Sequence, residues 1–426
     1  VADSAEAALL QMGPALFQRS QQLCVITHEA APPKWLRRPK GAPTIAACSI
    51  GQLREKMAQA AEWLKWSGTT RTWAACLPPA WAVETLHTRQ QWRFPLLGDI
   101  DAAPTLRADG ELILAPGYDA DTGLYLDTFG MDFPPLSPAP TRDDAVRAIN
   151  ALALPFADFP FAEPHDRCAA FAAVCSLIAR PAIEGCVPLF AVDSTTRGTG
   201  KGLLIDIISL IATGRAAPRW SQTRDQEEDR KALLTISMEG DSCVHIDNLS
   251  HALGSGPLDS ALTAGVIKGR LLGQNKSVAA PMNCVFFASG NNITFLGDMA
   301  RRVIPIRFES LLEHPEDRTD FTHERLRPWV LEHRPLLVMS ALTLLRAYFV
   351  AGCPKQGVTL GSFEEWSDLV RSAFLWAGCP DPCTGRRGME TESDVNHERI
   401  AELLESWAAC YGERGVTLAN AIDDIA

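Results

Sequence analysis

Apolar residues recur along this chain in more than one rhythm, and the changes of rhythm mark its parts. Ala5 to Gln22 and Ile50 to Trp66 carry apolar positions at helical spacing. Short strand-like pieces follow at Thr105 to Arg107 and Leu112 to Leu114, and the Asp109-Gly110 pair between them predicts a hairpin turn. The four prolines between Asp132 and Thr141 forbid continuous helix or central strand, so this stretch reads as a linker. Thr141 then offers a helix N-cap, with Asp144 three residues on, for a helix running through Ala145 to Leu154. Pro164 to Ala179 is apolar nearly all round, the pattern of a buried helix. Val187 to Val192 is an apolar run suited to a strand covered on both faces. From there to Phe308 strands and helices alternate, which predicts an α/β core on a central parallel sheet. Beyond Glu309 the pattern is helical again, over Leu326 to Val350, Phe363 to Trp376 and Glu398 to Tyr411. The expected organisation is an N-terminal mixed α/β accessory domain (1–138), a helical lead-in (141–186), the α/β core (187–310) and a C-terminal helical domain (311–426).

Bulk properties narrow the partners. A chain of 426 residues is too long for one compact core. The net charge of −11 argues against a wholly basic coat for nucleic acid, yet a channel or groove needs only a few inward-facing cations. The 12 cysteines are scattered, and the close pair Cys379 and Cys383 lacks a second pair or histidines at ligand spacing, so reduced thiols are expected. No apolar run reaches a membrane span and the start lacks a signal pattern, so no membrane partner and a cytoplasmic location are expected. The first residue is Val1 rather than methionine, as in a fragment of a longer polypeptide.

The candidate chemistry begins after Val192. The stretch Thr195, Thr196, Arg197, Gly198, Thr199, Gly200, Lys201, Gly202, Leu203 joins an apolar strand to an apolar helix that closes at Gly214. Strand, glycine-rich loop and helix together aim backbone N–H groups and a helix N-terminus at one spot, which suits a polyphosphate such as that of ATP. Lys201 would reach the β- and γ-phosphates. The loop departs from GxxxxGK[ST] twice, with Thr195 for the first glycine and Gly202 for the hydroxyl residue that normally ligates Mg²⁺. Either a water fills that ligand place or another group does, Thr199 being one candidate.

Three further elements follow in order. Cys243 to Asn248 is an apolar strand ending in Asp247, placed to hold Mg²⁺ beside the phosphates, with a turn-capping aspartate as the plainer alternative. Asn248 stands where a hydrolytic ATPase usually has a glutamate. An amide orients water but accepts no proton, so slow hydrolysis or a borrowed base is implied. The run Asp225 to Asp229 holds candidate bases, although a solvated helix face fits such a charge run better. Cys284 to Ala288 is a strand whose tip carries Asn291 and Asn292, either a γ-phosphate sensor or an Asx turn. Arg301 and Arg302 precede another apolar strand, where an arginine could reach a neighbouring subunit's nucleotide or pair with surface carboxylates. In the N-terminal part, Asp99 and Asp101 form a DxD that lacks the other ligands of a metal site.

With GTGKG, VHIDN, FFASGNN and DMARRVIPI in this order, the chain resembles AAA+ ATPases of the superfamily 3 helicase kind, as found in phage, plasmid and viral primase–helicase proteins. The resemblance covers Thr141 to Phe308, and the C-terminal helices more loosely. It implies a P-loop AAA+ core with a helical lid, ATP and Mg²⁺ as cofactors, and DNA-unwinding activity in replication of a mobile element. It also implies a homo-oligomeric ring, usually a hexamer, with single-stranded or forked DNA in a central channel and a primase or replication origin as partner. A hairpin before the sensor strand would grip the DNA, and the matching residues are Lys268, Arg270, Gln274, Asn275 and Lys276. Gly202 and Asn248 depart from the family pattern and favour an alternative, a nucleotide-regulated scaffold or loader that binds ATP and DNA with little hydrolysis.

Overall fold

A computed structural model describes residues 1–28, 43–249, 251–270, 277–310, 312, 314–386, 402–412, 414–417 and 420. The core is a five-stranded, all-parallel sheet. Its strands are β1 (Leu189–Ser194), β2 (Arg219–Trp220), β3 (Cys243–Ile246), and then, beyond a hairpin made by β4 (Val266–Arg270) and β5 (Ser277–Pro281), β6 (Val285–Asn291) and β7 (Val303–Phe308). The spatial order is β2-β3-β6-β1-β7.

Each strand is apolar at successive positions because both faces are covered. Phe190 and Val192 of β1 join Phe287 and Ile304 in one core, while Leu189 and Ala191 join Phe286 and Val303 in another. The core on the first face takes in α1 (Arg142–Leu152), α2 (Pro164–Ile178), α3 (Lys201–Thr213), α6 (Leu326–Val350) and the helical segment 364–377, whose Trp366 packs on Phe190. Covering the second are α4 (Gln226–Glu239), α5 (Gly256–Thr263) and the β4–β5 hairpin. Thr141 and Asp144 form the reciprocal capping box that starts α1. The apolar-all-round sequence of α2 is explained by its position, since 12 of its 15 residues are buried.

Buried Arg334 of α6, 1% exposed, fastens these layers together. Its guanidinium donates to the Ile211 and Ala212 carbonyls at 2.9 and 2.8 Å, where α3 ends, and to the Ala102 carbonyl at 2.8 Å in the N-terminal part. A cation at a helix C-terminus satisfies carbonyls that have no intrahelical partner.

The N-terminal part is mixed α/β, but its first helix is shorter than the sequence suggests. It spans Ala2–Gln11 and stops before Gly13 and Pro14; the expected continuation to Gln22 is instead a β-hairpin of Phe17–Arg19 and Gln22–His28. Likewise the helix at Ile50 ends at Ala60, and Leu64–Ser67 pairs as a strand with Thr72–Ala75. The Asp109-Gly110 hairpin is present, pairing Thr105–Leu106 with Leu112–Ile113. The C-terminal helix is described over 402–411, and the rest of its expected span lies outside the described residues. No helix is long and apolar enough to cross a membrane, among the described residues.

Candidate nucleotide site

The chain leaves β1, which lies between β6 and the edge strand β7, crosses to the far edge strand β2, and returns later to β7 on the other side of β1. Ligands of such sheets settle outside the carboxyl ends of the strands near this change of direction. Residues 195–200 occupy that place, between β1 and α3. Gly198 and Gly200 have φ of +74° and +87°, a left-handed backbone that glycine adopts without strain. Phe159 lies under the second of them, 3.6 Å from where a side-chain carbon on Gly200 would be. The loop then delivers Lys201, Gly202 and Leu203 as the first turn of α3, whose N–H groups have no intrahelical acceptor.

The Lys201 ammonium is half-buried and held by three acceptors: the Asn291 Oδ1 at 2.7 Å, the Thr196 carbonyl at 3.1 Å and the Thr199 Oγ1 at 3.3 Å. Burial pushes its pKa down, against the pull of nearby Asp193. The Asp193 carboxylate accepts from the Ser194 and Ile293 N–H groups at 2.9 and 3.2 Å, so it ties the end of β1 to the turn after β6. Thr195 and Arg197 face solvent at the loop's outer edge.

Asp247 follows β3, and Ser289 of the neighbouring β6 donates to its Oδ1 at 3.1 Å. Ser289 and the Lys201-bound Asn291 sit two residues, or roughly 7 Å, apart on one strand, so Asp247 and Lys201 address the same sheet end. Beneath them, buried His245 lies 2.8 Å from the Ser289 hydroxyl, and burial pushes its imidazole down to about 4. It is therefore neutral at physiological pH and helps fix the serine that fixes Asp247. Asn248 and Asn292 have φ of +60° and +51°, where asparagine is far more common than most residues. Both are exposed, and the Asn248 N–H donates back to Asp247 Oδ1 at 2.9 Å.

Three residues that the sequence did not single out complete the site. Arg219 of β2 is ion-paired with Asp247 and lies 3.7 Å from Asp206 of α3, which also pairs with Arg327 of α6 at 2.7 Å. A divalent ion here would draw on the Asp247 carboxylate and a hydroxyl at position 202. Position 202 is glycine, and Asp247 already gives one oxygen to Arg219 and the other to Ser289 and the Asn248 N–H. These residues do not make an inner shell for Mg²⁺. Thr199 is no substitute as placed, because its buried hydroxyl faces Lys201.

Elsewhere the candidates divide. Arg302 is held within the chain by Asp259 at 2.5 Å and Asp298 at 3.4 Å, whereas the Arg301 side chain is 71% exposed and pairs with the exposed Asp298 at 3.4 Å. Lys268 and Arg270 are both exposed on β4, while Ile267 is buried and Gly269 sits against Leu234 of α4. Gln274, Asn275 and Lys276 lie outside the described residues. The Asp225 to Asp229 run serves α4 itself: Asp225 caps it, Asp229 accepts from the Thr223 N–H at 2.9 Å, and Glu227 and Glu228 pair with Arg230 and Lys231.

A cavity of about 450 Å³ lies away from this loop, lined by Asp99, Asp101, Asp109, Asp121, Glu184 and Arg180 among others. Its five carboxyl groups, set against Arg107 and Arg180, match a triphosphate poorly, and the loop's cation and N–H groups outweigh the cavity's size. Burial pushes the Asp99 and Asp101 carboxyls up, which also disfavours the ionised form a metal needs. Among the described residues no three His, Cys, Asp or Glu side chains are grouped to hold a metal.

No protein-family model and no curated protein matches the chain. Among solved structures it is similar to the apo C-terminal region of NrS-1, at 14% identity and TM-score 0.35, covering 68% of this chain and 63% of that one. It is also similar to the SCCmec type IV Cch active helicase, at 13% identity and TM-score 0.38, covering 95% and 83%. A third is inhibitor-bound JCV helicase, at 14% identity and TM-score 0.24, covering 56% and 67%. Likeness this distant assigns no function, which the site's own chemistry has to do.

Proposed function

We propose that the chain is an ATP-dependent DNA helicase or translocase, acting as a homo-oligomeric ring in the replication of a mobile genetic element. The observation that carries this reading is that Lys201, bound to Asn291, and Asp247, bound to Ser289 two residues earlier on the same strand, lie at one end of a parallel sheet beside the N-terminus of α3. A triphosphate there would take the loop N–H groups of residues 198–203 and exchange Asn291 for a phosphate oxygen at Lys201. Asn291, released, would orient the attacking water or the γ-phosphate. Asn248 can help place that water but cannot take its proton, so turnover is slow until a neighbour contributes. Arg301, 71% exposed, would contribute from across a subunit interface by stabilising the charge of the transition state, with the water's proton passing to a phosphate oxygen, whereas Arg302 is held by Asp259. Lys268 and Arg270 would hold DNA phosphates, without sequence preference and with strong salt dependence.

The test is ATP turnover by the purified chain with and without single-stranded DNA, together with unwinding of a forked duplex. Stimulated turnover that disappears in Lys201→Ala supports the motor. A second reading has its own observation: Asn248 at the base position and Arg219 on Asp247 favour a scaffold or loader that binds ATP and hardly hydrolyses it. Nucleotide and DNA binding without turnover would select that one.

A further inference from the structure

Arg219 stands where a phosphate loop and its strand-end aspartate would otherwise share a metal ion. Both of its terminal nitrogens lie 3.7 Å from where a side-chain carbon at position 202 would begin, and one of them is paired with Asp247. Position 202 is the place from which a loop hydroxyl ordinarily reaches the ion. The same guanidinium lies 3.7 Å from Asp206, and it is 48% exposed, so it is anchored on two carboxylates yet open to a ligand. We propose that Arg219 takes the place of the divalent ion in this site, so that a nucleoside triphosphate binds without requiring a metal. This inference rests on the phosphate-loop reading of residues 195–203.

A planar guanidinium offers five donors in a fork that matches phosphate oxygens two at a time, which makes it a good neutraliser of a polyphosphate. A metal seeking Asp247 would have to displace this fork and then sit beside it, cation against cation. The glycine at 202 fits the same arrangement, because a seryl hydroxyl there would add a further atom in front of the guanidinium. Arg219 differs from a metal in one respect that bears on turnover. It carries a single charge and activates no water, so it supports binding better than hydrolysis, in keeping with Asn248.

The experiment is displacement of a fluorescent ATP analogue by ATP on the full chain, in EDTA and in excess MgCl₂. The wild-type dissociation constant is expected to differ by less than about threefold between the two. Arg219→Ala is expected to lose at least about tenfold in EDTA and to regain part of that with Mg²⁺, with Arg219→Lys falling between. Wild-type binding that appears only with Mg²⁺ overturns the inference, and so does undiminished binding by Arg219→Ala in EDTA. Absence of binding in both buffers, matched by Lys201→Ala, overturns it differently, because then the phosphate-loop reading itself has failed. The wild-type comparison needs no variant, so it decides the matter even if Arg219→Ala does not fold.

Discussion

Replacing Lys201 by alanine separates a ligand-binding role from a structural one. In the free protein the ammonium makes three hydrogen bonds, to Asn291 Oδ1, the Thr196 carbonyl and Thr199 Oγ1. All three have a charged donor, but the ammonium is only half-buried and the acceptor on Asn291 is exposed and can return to water, so folding stability should fall by no more than about 2 kcal/mol. Binding is affected far more. A phosphate oxygen in place of the amide makes a charge-assisted bond worth about 1.5–3 kcal/mol. Burial has already stripped part of the ammonium's water, which lowers the desolvation still owed when ligand arrives. A net loss of about 2–3 kcal/mol corresponds to roughly 30- to 150-fold in affinity. Titration calorimetry with a non-hydrolysable ATP analogue, beside urea unfolding of both proteins, measures the two quantities separately. Affinity unchanged within about threefold would refute the assignment of Lys201 to phosphate. A stability loss above about 3 kcal/mol would instead make it a structural lysine.

Three further outcomes are expected. Arg334→Met should lower unfolding stability by about 3 kcal/mol, since three carbonyls that now accept from a buried guanidinium lose their donor; chemical denaturation checks this. Lys268→Ala and Arg270→Ala should each weaken single-stranded DNA binding and reduce the slope of log affinity against log salt by about 0.7, read by anisotropy across a salt series. Arg301→Ala should leave ATP affinity unchanged while cutting DNA-stimulated turnover about a thousandfold, whereas Arg302→Ala should lower stability through its lost pairs with Asp259 and Asp298.

What could be read from the sequence followed the length of each signal. The strand, loop and helix from Leu189 to Thr213 were legible because an apolar run, two glycines and a second apolar run occur in sequence. Pro164–Ile178 was legible for the same reason, being buried on every side. Arg219 was not, because β2 is two residues long and follows Pro218, too short for any periodicity to mark it. His245 and Ser289 sat inside apolar strands, and only the pairing of β3 with β6 brings their side chains together under Asp247. The first N-terminal helix is shorter than its apolar spacing predicts because helix-spaced apolar residues continue past Gly13 and Pro14 into a hairpin, where tertiary pairing outweighs local pattern. Arg301 and Arg302 were adjacent and equivalent on paper; Asp259, some 40 residues upstream, distinguishes them.

The central claim is that one triphosphate is gripped at the end of this sheet by the loop and Lys201, with Asp247 close by. A structure determined with a non-hydrolysable ATP analogue measures it directly. The predicted result places the terminal phosphate within hydrogen-bond distance of Lys201 Nζ, with Asn291 and Asp247 facing it from β6 and β3. An analogue bound in the acidic cavity beside Asp99, or a loop that stays closed over Lys201 at saturating ligand, would contradict the account.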